Sequence, residues 1–197
     1  MAWDKTEPSA TADFSGRDDA MRANFAAIEA AKFAATVDSQ VTGAIYTPNP
    51  VVQIVNTNSG AVNTGTTTLP FDDTIPQITE GDQYMTLAIT PKSTTNKLLI
   101  IAVGYFASNA TANFTMALFQ DATANALNAA HHTVGSDSIV PMTLVHYMAA
   151  GTTSATTFRI RAGNSASGTT TFNGSSAARK LGGILKSSIT IIELYST

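Results

Sequence analysis

Leu98-Leu99-Ile100-Ile101-Ala102-Val103 is the longest apolar run in this 197-residue chain, and its reading decides the fold. It is strand-sized, far below the ~18–20 apolar residues of a membrane span. Successive side chains of a strand point to opposite faces, so the run is apolar on both. An antiparallel sandwich buries one face of each strand and wets the other, and its strands should alternate. Some stretches do. Phe158, Ile160 and Ala162 are expected to point in, with Arg159 and Arg161 out, and Met85, Leu87 and Ile89 share one face. Others do not. In Ile189–Tyr195, Ile189, Ile191 and Tyr195 fall on one face and Ile192 and Leu194 on the other. In Met142–Met148, Leu144 and Met148 lie opposite Val145 and Tyr147. Such strands need cover on both faces, because each fully buried Leu or Ile contributes roughly 1.5–3 kcal/mol. The cover is a sister subunit, or else an arm or long loop of the same chain.

Outward from that run, Val51–Asn56, Tyr84–Thr90, Leu98–Phe106, Asn113–Gln120, Ile139–Met148, Thr156–Ala162, Thr169–Phe172 and Ile189–Tyr195 read as strands. Thr64–Leu69 and Leu181–Leu185 are weaker candidates. Between them lie turn formers such as Asn58-Ser59-Gly60, Gly163-Asn164-Ser165 and Asn173-Gly174-Ser175. Strand upon strand with no intervening helix predicts an antiparallel sandwich, with a jelly roll as the preferred form. No fixed-period repeat points to a solenoid or propeller.

The first 40 residues have a different texture. Residues 1–12 are small, polar and interrupted by Pro8. Ser15 can cap a helix, and the Ala-rich stretch from Gly16 to about Ala35 carries Met21, Phe25 and Ile28 as one narrow apolar stripe. An isolated helix of that length is marginal in water, so the stripe needs a partner. Trp3 and Phe14 add two large apolar groups to a segment without a core. The expected organisation is an anchoring arm over 1–40, a linker over 41–50 ending in Thr47-Pro48-Asn49-Pro50, and a β-sandwich over 51–197. The aromatics of the arm either dock on another protein or fold back on the same chain.

Composition narrows the function. Charged residues make up 13%, against the ~25% usual for soluble domains. Either much surface is covered by association, or Thr, Ser and Asn cover it instead. A formal net charge of −3, with the Lys and Arg scattered, leaves no footprint for nucleic acid. The chain has no cysteine, hence no disulfide and no Cys-based metal site. No apolar run at the start resembles a secretory signal, so synthesis in the cytosol is expected, with no membrane partner.

The chemistry-bearing residues form no constellation. His131 and His132 are adjacent, and on one regular strand they would point to opposite faces. Asp72, Asp73, Glu80 and Asp82 cluster around Pro76, which reads best as a solvated loop. No P-loop, His-Glu-x-x-His, nucleophile elbow or EF-hand is present. An enzyme is not expected, and neither is a cofactor.

Three stretches carry a resemblance. Asp72-Asp73-Thr74-Ile75-Pro76-Gln77-Ile78-Thr79-Glu80-Gly81, after Gly65–Leu69 and before Tyr84–Pro91, is similar to a recurrent stretch in the C-terminal domains of phage and prophage fibre-type proteins. Leu181-Gly182-Gly183-Ile184 with Ser188–Leu194 resembles the final strands of those domains. The segment Asp18–Glu29 resembles phage structural proteins. The resemblance implies a trimeric jelly roll of the tumour-necrosis-factor type, with its last strand near the three-fold axis. It implies a virion protein whose trimer interface includes Ile189, Ile191, Ile192, Leu194 and Tyr195. Trp3, Phe14, Met21, Phe25 and Ile28 would then anchor the arm to the major capsid protein or another virion protein. With so short a segment before the sandwich, a capsid decoration (cement) protein or short head fibre is expected. The alternative is a tail-associated fibre tip, in which knob-loop aromatics such as Phe71 or Phe172 meet a host surface glycan.

Overall fold

The computed structural model describes Met21, residues 23–28 and residues 50–196. Met21 and residues 23–28 are helical, with Met21, Phe25 and Ile28 exposed. The rest of the expected arm and linker, including Trp3 and Phe14, lies outside the described residues.

From Val51 the chain forms β1 (Val51–Ser59), β2 (Asn63–Gly65), β3 (Asp82–Ile89), β4 (Lys97–Ser108), β5 (Ala112–Gln120) and β6 (Asn128–Val134). It continues through β7 (Val140–Ala149), β8 (Thr156–Asn164), β9 (Thr170–Phe172), β10 (Gly174–Ser175), β11 (Ala178–Arg179) and β12 (Ser187–Leu194). The long strands pair in two antiparallel sheets. One runs β1-β12-β4 with β7 on the far side of β4, and short β9 and β2 extend it. The other runs β3-β8-β5-β6. Numbered in chain order, the eight long strands lie 1-8-3-6 and 2-7-4-5. Two interleaved Greek keys of this kind define a jelly roll. Val51 pairs with Leu194, so the two ends of the domain lie side by side.

The alternating strands behave as expected. Phe158, Ile160 and Ala162 are buried, as are Met85 and Ile89. The core between the sheets also takes Leu98, Ile100, Ala102, Met116, Leu118, Ile189 and Ile191. It includes an aromatic cluster, in which Phe106 lies 5.2 Å from Phe114, 5.4 Å from Phe172 and 5.4 Å edge-on from Tyr84.

Several expectations need correction. Thr64–Leu69 is not a strand beyond Gly65. Leu181–Leu185 is no strand either: Leu181–Gly183 is a single 3-10 turn, and Leu181, Gly182 and Gly183 all have positive φ, which no strand tolerates. Phe172 is not a loop aromatic but a core residue. Arg159 and Arg161 face outward, yet both are half-buried and hold loops. Arg161 donates to the Glu80 and Gly81 carbonyls at 2.9 and 2.6 Å, and Arg159 donates to the Asp121 carbonyl. The acidic stretch is a loop, with Asp72 and Asp73 exposed. Asp82 accepts from Thr67 N and Oγ1, while Glu80 accepts from Gln77 N.

The segment between β2 and β3 folds over the outer side of the second sheet. Leu69 is fully buried there against Ala117 and Phe119, with Ile78 and Ala126 around them. Gly163 permits this approach, since a Cβ at that position would stand 2.5 Å from the Thr67 carbonyl oxygen. Gly163→Ala is therefore expected to lower stability by roughly 1–3 kcal/mol, the usual cost of overpacking. A denaturant titration showing an unchanged midpoint would contradict this account of the crossing.

Candidate association surface

The outer side of the first sheet is different. Burial alternates regularly along β12 and along most of β4, so Leu99, Ile101 and Val103 point away from the core, as do Ile192 and Leu194. The register then sets the neighbours. Ile54 on β1 is opposite Ile192 on β12, Ile192 is opposite Leu99 on β4, and Leu99 is opposite Tyr147 on β7. One apolar row therefore crosses all four strands. The next row is Asn56, Thr190, Ile101 and Val145, and the one after it is Asn58, Ser188, Val103 and Thr143. The apolar residues are continuous on the β4–β7 side and give way to amide and hydroxyl groups on the β1 side. Ile54 is 59% exposed, Tyr147 58% and Val145 55%.

This geometry sorts the five residues expected at a subunit interface. Ile189 and Ile191 lie wholly in the chain's own core. They belong to the inward set of β12 and have no surface to offer a sister chain. Ile192 and Leu194 are half-buried on the outer face, and Tyr195 is half exposed just past the strand, its N–H on the Pro50 carbonyl at 2.8 Å. The apolar residues of this face absent from the expected set are Ile54, Leu99, Ile101, Val103, Val145 and Tyr147. All belong to strands legible in the sequence, but which residues of different strands become neighbours depends on register.

The edge of the face is fixed by a buried carboxylate. Glu193 shares the inward parity of Ile189 and Ile191 and is fully buried. Its Oε1 accepts from Lys92 N at 2.8 Å and Asn96 Nδ2 at 2.6 Å, and its Oε2 accepts from Gln53 Nε2 at 2.5 Å. Burial alone would push this carboxyl up. The hydrogen bonds from Asn96, Gln53 and the backbone of Lys92 and Ser93 outweigh it and hold the group below the ordinary carboxylate value. The clamp ties β1, β12 and the 90–96 turn together, and so sets where Ile54 and Ile192 stand. A second buried hub ties the opposite end. Asn173 donates to the Ser59 and Ala61 carbonyls at 2.7 and 3.1 Å and accepts from Ser187 Oγ at 2.6 Å.

The two adjacent histidines part as expected. His131 stacks on Phe71, while His132 Nδ1 lies 2.7 Å from the Thr133 carbonyl. Among the described residues no three His, Asp or Glu side chains come together as a metal site would require, and no helix is long and apolar enough to cross a membrane.

The strand order thus defines a jelly-roll β-sandwich. Among solved structures the chain is similar to an Eiger TNF from S. frugiperda, at 10% identity over 73% of this chain and 94% of that one, with a TM-score of 0.42. It is also similar to infectious bursal disease virus Gx strain, at 10% identity over 74% of this chain and 37% of that one, TM-score 0.37. A third is the bacteriophage CBA120 tailspike protein 4 enzymatically active domain, at 15% identity over 63% of this chain and 19% of that one, TM-score 0.28. No protein-family model matches the chain, and no curated protein matches it.

Proposed function

We propose that this protein is a homotrimeric structural component of a phage particle, a capsid decoration protein or short head fibre, and not an enzyme. The observation that carries the self-association is the apolar row Ile54, Ile192, Leu99 and Tyr147 across the outer side of one sheet. A closed homo-oligomer covers such a face without leaving a new one exposed. Three-fold symmetry, and the virion itself, rest on the resemblance of Asp72–Gly81 and Ser188–Leu194 to fibre-type domains. The anchoring role of the arm is supported by Met21, Phe25 and Ile28, which are 53%, 63% and 50% exposed. Exposed apolar residues grouped on one segment are a docking signature.

Removing residues 1–35 is expected to leave a soluble trimer that no longer binds capsids. Equal capsid binding by the truncated and full-length chains in a co-sedimentation assay would refute the arm's role. A tail location is the second reading, favoured by the half-exposed Phe71 in a knob loop. Immunogold labelling separates the two: signal over the head lattice supports decoration, and signal confined to the tail removes it.

A further inference from the structure

We infer that residues 70–76, which arch over β5 and β6, form a binding site for a neutral saccharide. The site lies on the other sheet from the association surface, and the inference holds wherever on a particle the protein sits.

The arch is fixed at both ends. On one side Leu69 is fully buried and its N–H reaches the Asn164 carbonyl at 2.9 Å. On the other, Ala126 N donates to the Pro76 carbonyl at 2.9 Å and Ile78 N to the Ala124 carbonyl at 2.8 Å. The residues between stand over the strands with two adjoining cavities beneath and beside them, about 310 and 200 Å³, which share Asp72, Thr74 and Pro76. The larger sits at the lower end of the range for small-molecule sites, roughly 300–1,000 Å³.

The lining is chemically specific. Phe71 is stacked on His131, with ring centroids 3.8 Å apart and planes 15° from parallel, yet Phe71 remains 55% exposed. One face of its ring is held by the imidazole and the other is left open, a rigid apolar platform of the kind that receives the C–H face of a sugar ring. Beneath it, Thr115 pairs across the strands with His131. Thr115 is 5% exposed, lines the smaller cavity, and its Oγ1 has no hydrogen-bond partner. An unmet buried hydroxyl is destabilising, and with no surface of its own exposed it meets a ligand hydroxyl only when the arch lifts slightly.

The carboxylates supply acceptors. Asp72 Oδ1 takes Thr74 N at 2.9 Å and Thr74 Oγ1 at 2.5 Å, leaving Oδ2 open. The Thr74 hydroxyl, and then its N–H, hold the Asp72 carboxyl below its ordinary value, so it stays an acceptor at neutral pH. No Lys or Arg lines either cavity, which disfavours an anionic ligand. Two neighbouring carboxylates without a third ligating side chain are also a poor cage for a cation. Acceptors, an open aromatic face and prolines together suit a neutral polyol.

Saturation-transfer difference NMR on the full chain, with maltotriose, cellotriose and triacetylchitotriose each at about 10 mM, tests this at the weak affinity expected of one small open site. Saturation transfer to the ring protons of at least one sugar is expected. Phe71→Ala should weaken it at least tenfold. Thr115→Val should weaken it as well without lowering the thermal midpoint, since it removes an unpartnered hydroxyl, and so guards against misreading a folding defect in the first variant. No transfer to any of the three sugars, or undiminished transfer in both variants, would overturn the assignment. So would calcium alone displacing the bound sugar, which would mark the carboxylates as a cation site.

Discussion

If the proposed trimer forms, a chain carrying Ile192→Asp is expected to sediment as a monomer at concentrations where the parent is assembled. Ile192 sits second in the row Ile54, Ile192, Leu99, Tyr147, with direct neighbours on both β1 and β4. Covering these four side chains, already partly buried in the single chain, is worth on the order of 1 kcal/mol each. A carboxylate in the middle of the row forfeits its share and must itself be desolvated without a partner, a penalty of several kcal/mol per ion. In the proposed trimer that penalty recurs at each interface, so association should weaken by several orders of magnitude, since each ~1.4 kcal/mol is tenfold. The substitution stays outside the core, because the inward side chains of β12 are Ile189, Ile191 and Glu193. Far-ultraviolet circular dichroism should therefore match the parent. Asn58→Asp, two rows away and opposite Ser188 on the polar side of the face, is the control and should change the association constant far less. Analytical ultracentrifugation at micromolar concentration decides the matter. A parent chain that is itself a stable monomer defeats the reading outright.

Removing the Glu193 carboxylate should cost the most in folding stability. Glu193→Ala leaves Gln53, Asn96 and Lys92 N–H without their acceptor. Hydrogen bonds to charged groups contribute about 1.5–3 kcal/mol each, and they are not additive, so a total loss of roughly 3–5 kcal/mol is expected. For a domain of this size that is a fall of roughly 10–15 °C in thermal midpoint, compared at one protein concentration because assembly also stabilises. Glu193→Gln keeps the volume but turns an NH2 group toward donors, and should cost a large part of the same amount.

The pH dependence has a definite sign. The folded Glu193 carboxyl titrates below its ordinary 4.5, so its contribution is present above that value and is lost as pH falls through the folded pKa. His146 on β7 is half-buried opposite Ile100, and burial lowers it below 6.5. The unfolded chain then takes up a proton that the folded one resists, so stability declines as pH drops below 6.5. Acid should weaken the protein in two steps. Glu193→Gln should abolish the lower step and His146→Gln the upper one. Stability curves for the two variants that run parallel to the parent from pH 7 to well below 4.5 would show that neither group carries this linkage.

The strands were legible because their signal is local. Phe158-Arg159-Ile160-Arg161 alternates, and Leu98–Val103 is too apolar and too short for anything but a buried strand. That Leu98–Val103 has a second apolar face was legible as well, since parity along one strand needs no tertiary information. β6 was missed: Asn128-Ala129-Ala130-His131-His132-Thr133-Val134 has almost no apolar period, and pairing with β5 makes it a strand. The inward turn of Glu193 was available from its shared parity with Ile189 and Ile191. What made a buried carboxylate tolerable was not, because Gln53, Lys92 and Asn96 come from distant parts of the chain.

Sequence alone thus determined an antiparallel sandwich whose central strands are apolar on both sides, since side-chain parity is a property of the strand itself. Only the tertiary structure decided which side is spare. Placing Ile189 and Ile191 inward and Ile54, Ile192, Leu99 and Tyr147 in one outward row depends on pairings between residues far apart in the chain, such as Ile54 with Ile192. Such long-range register is set by turns, bulges and packing, and no local pattern encodes it.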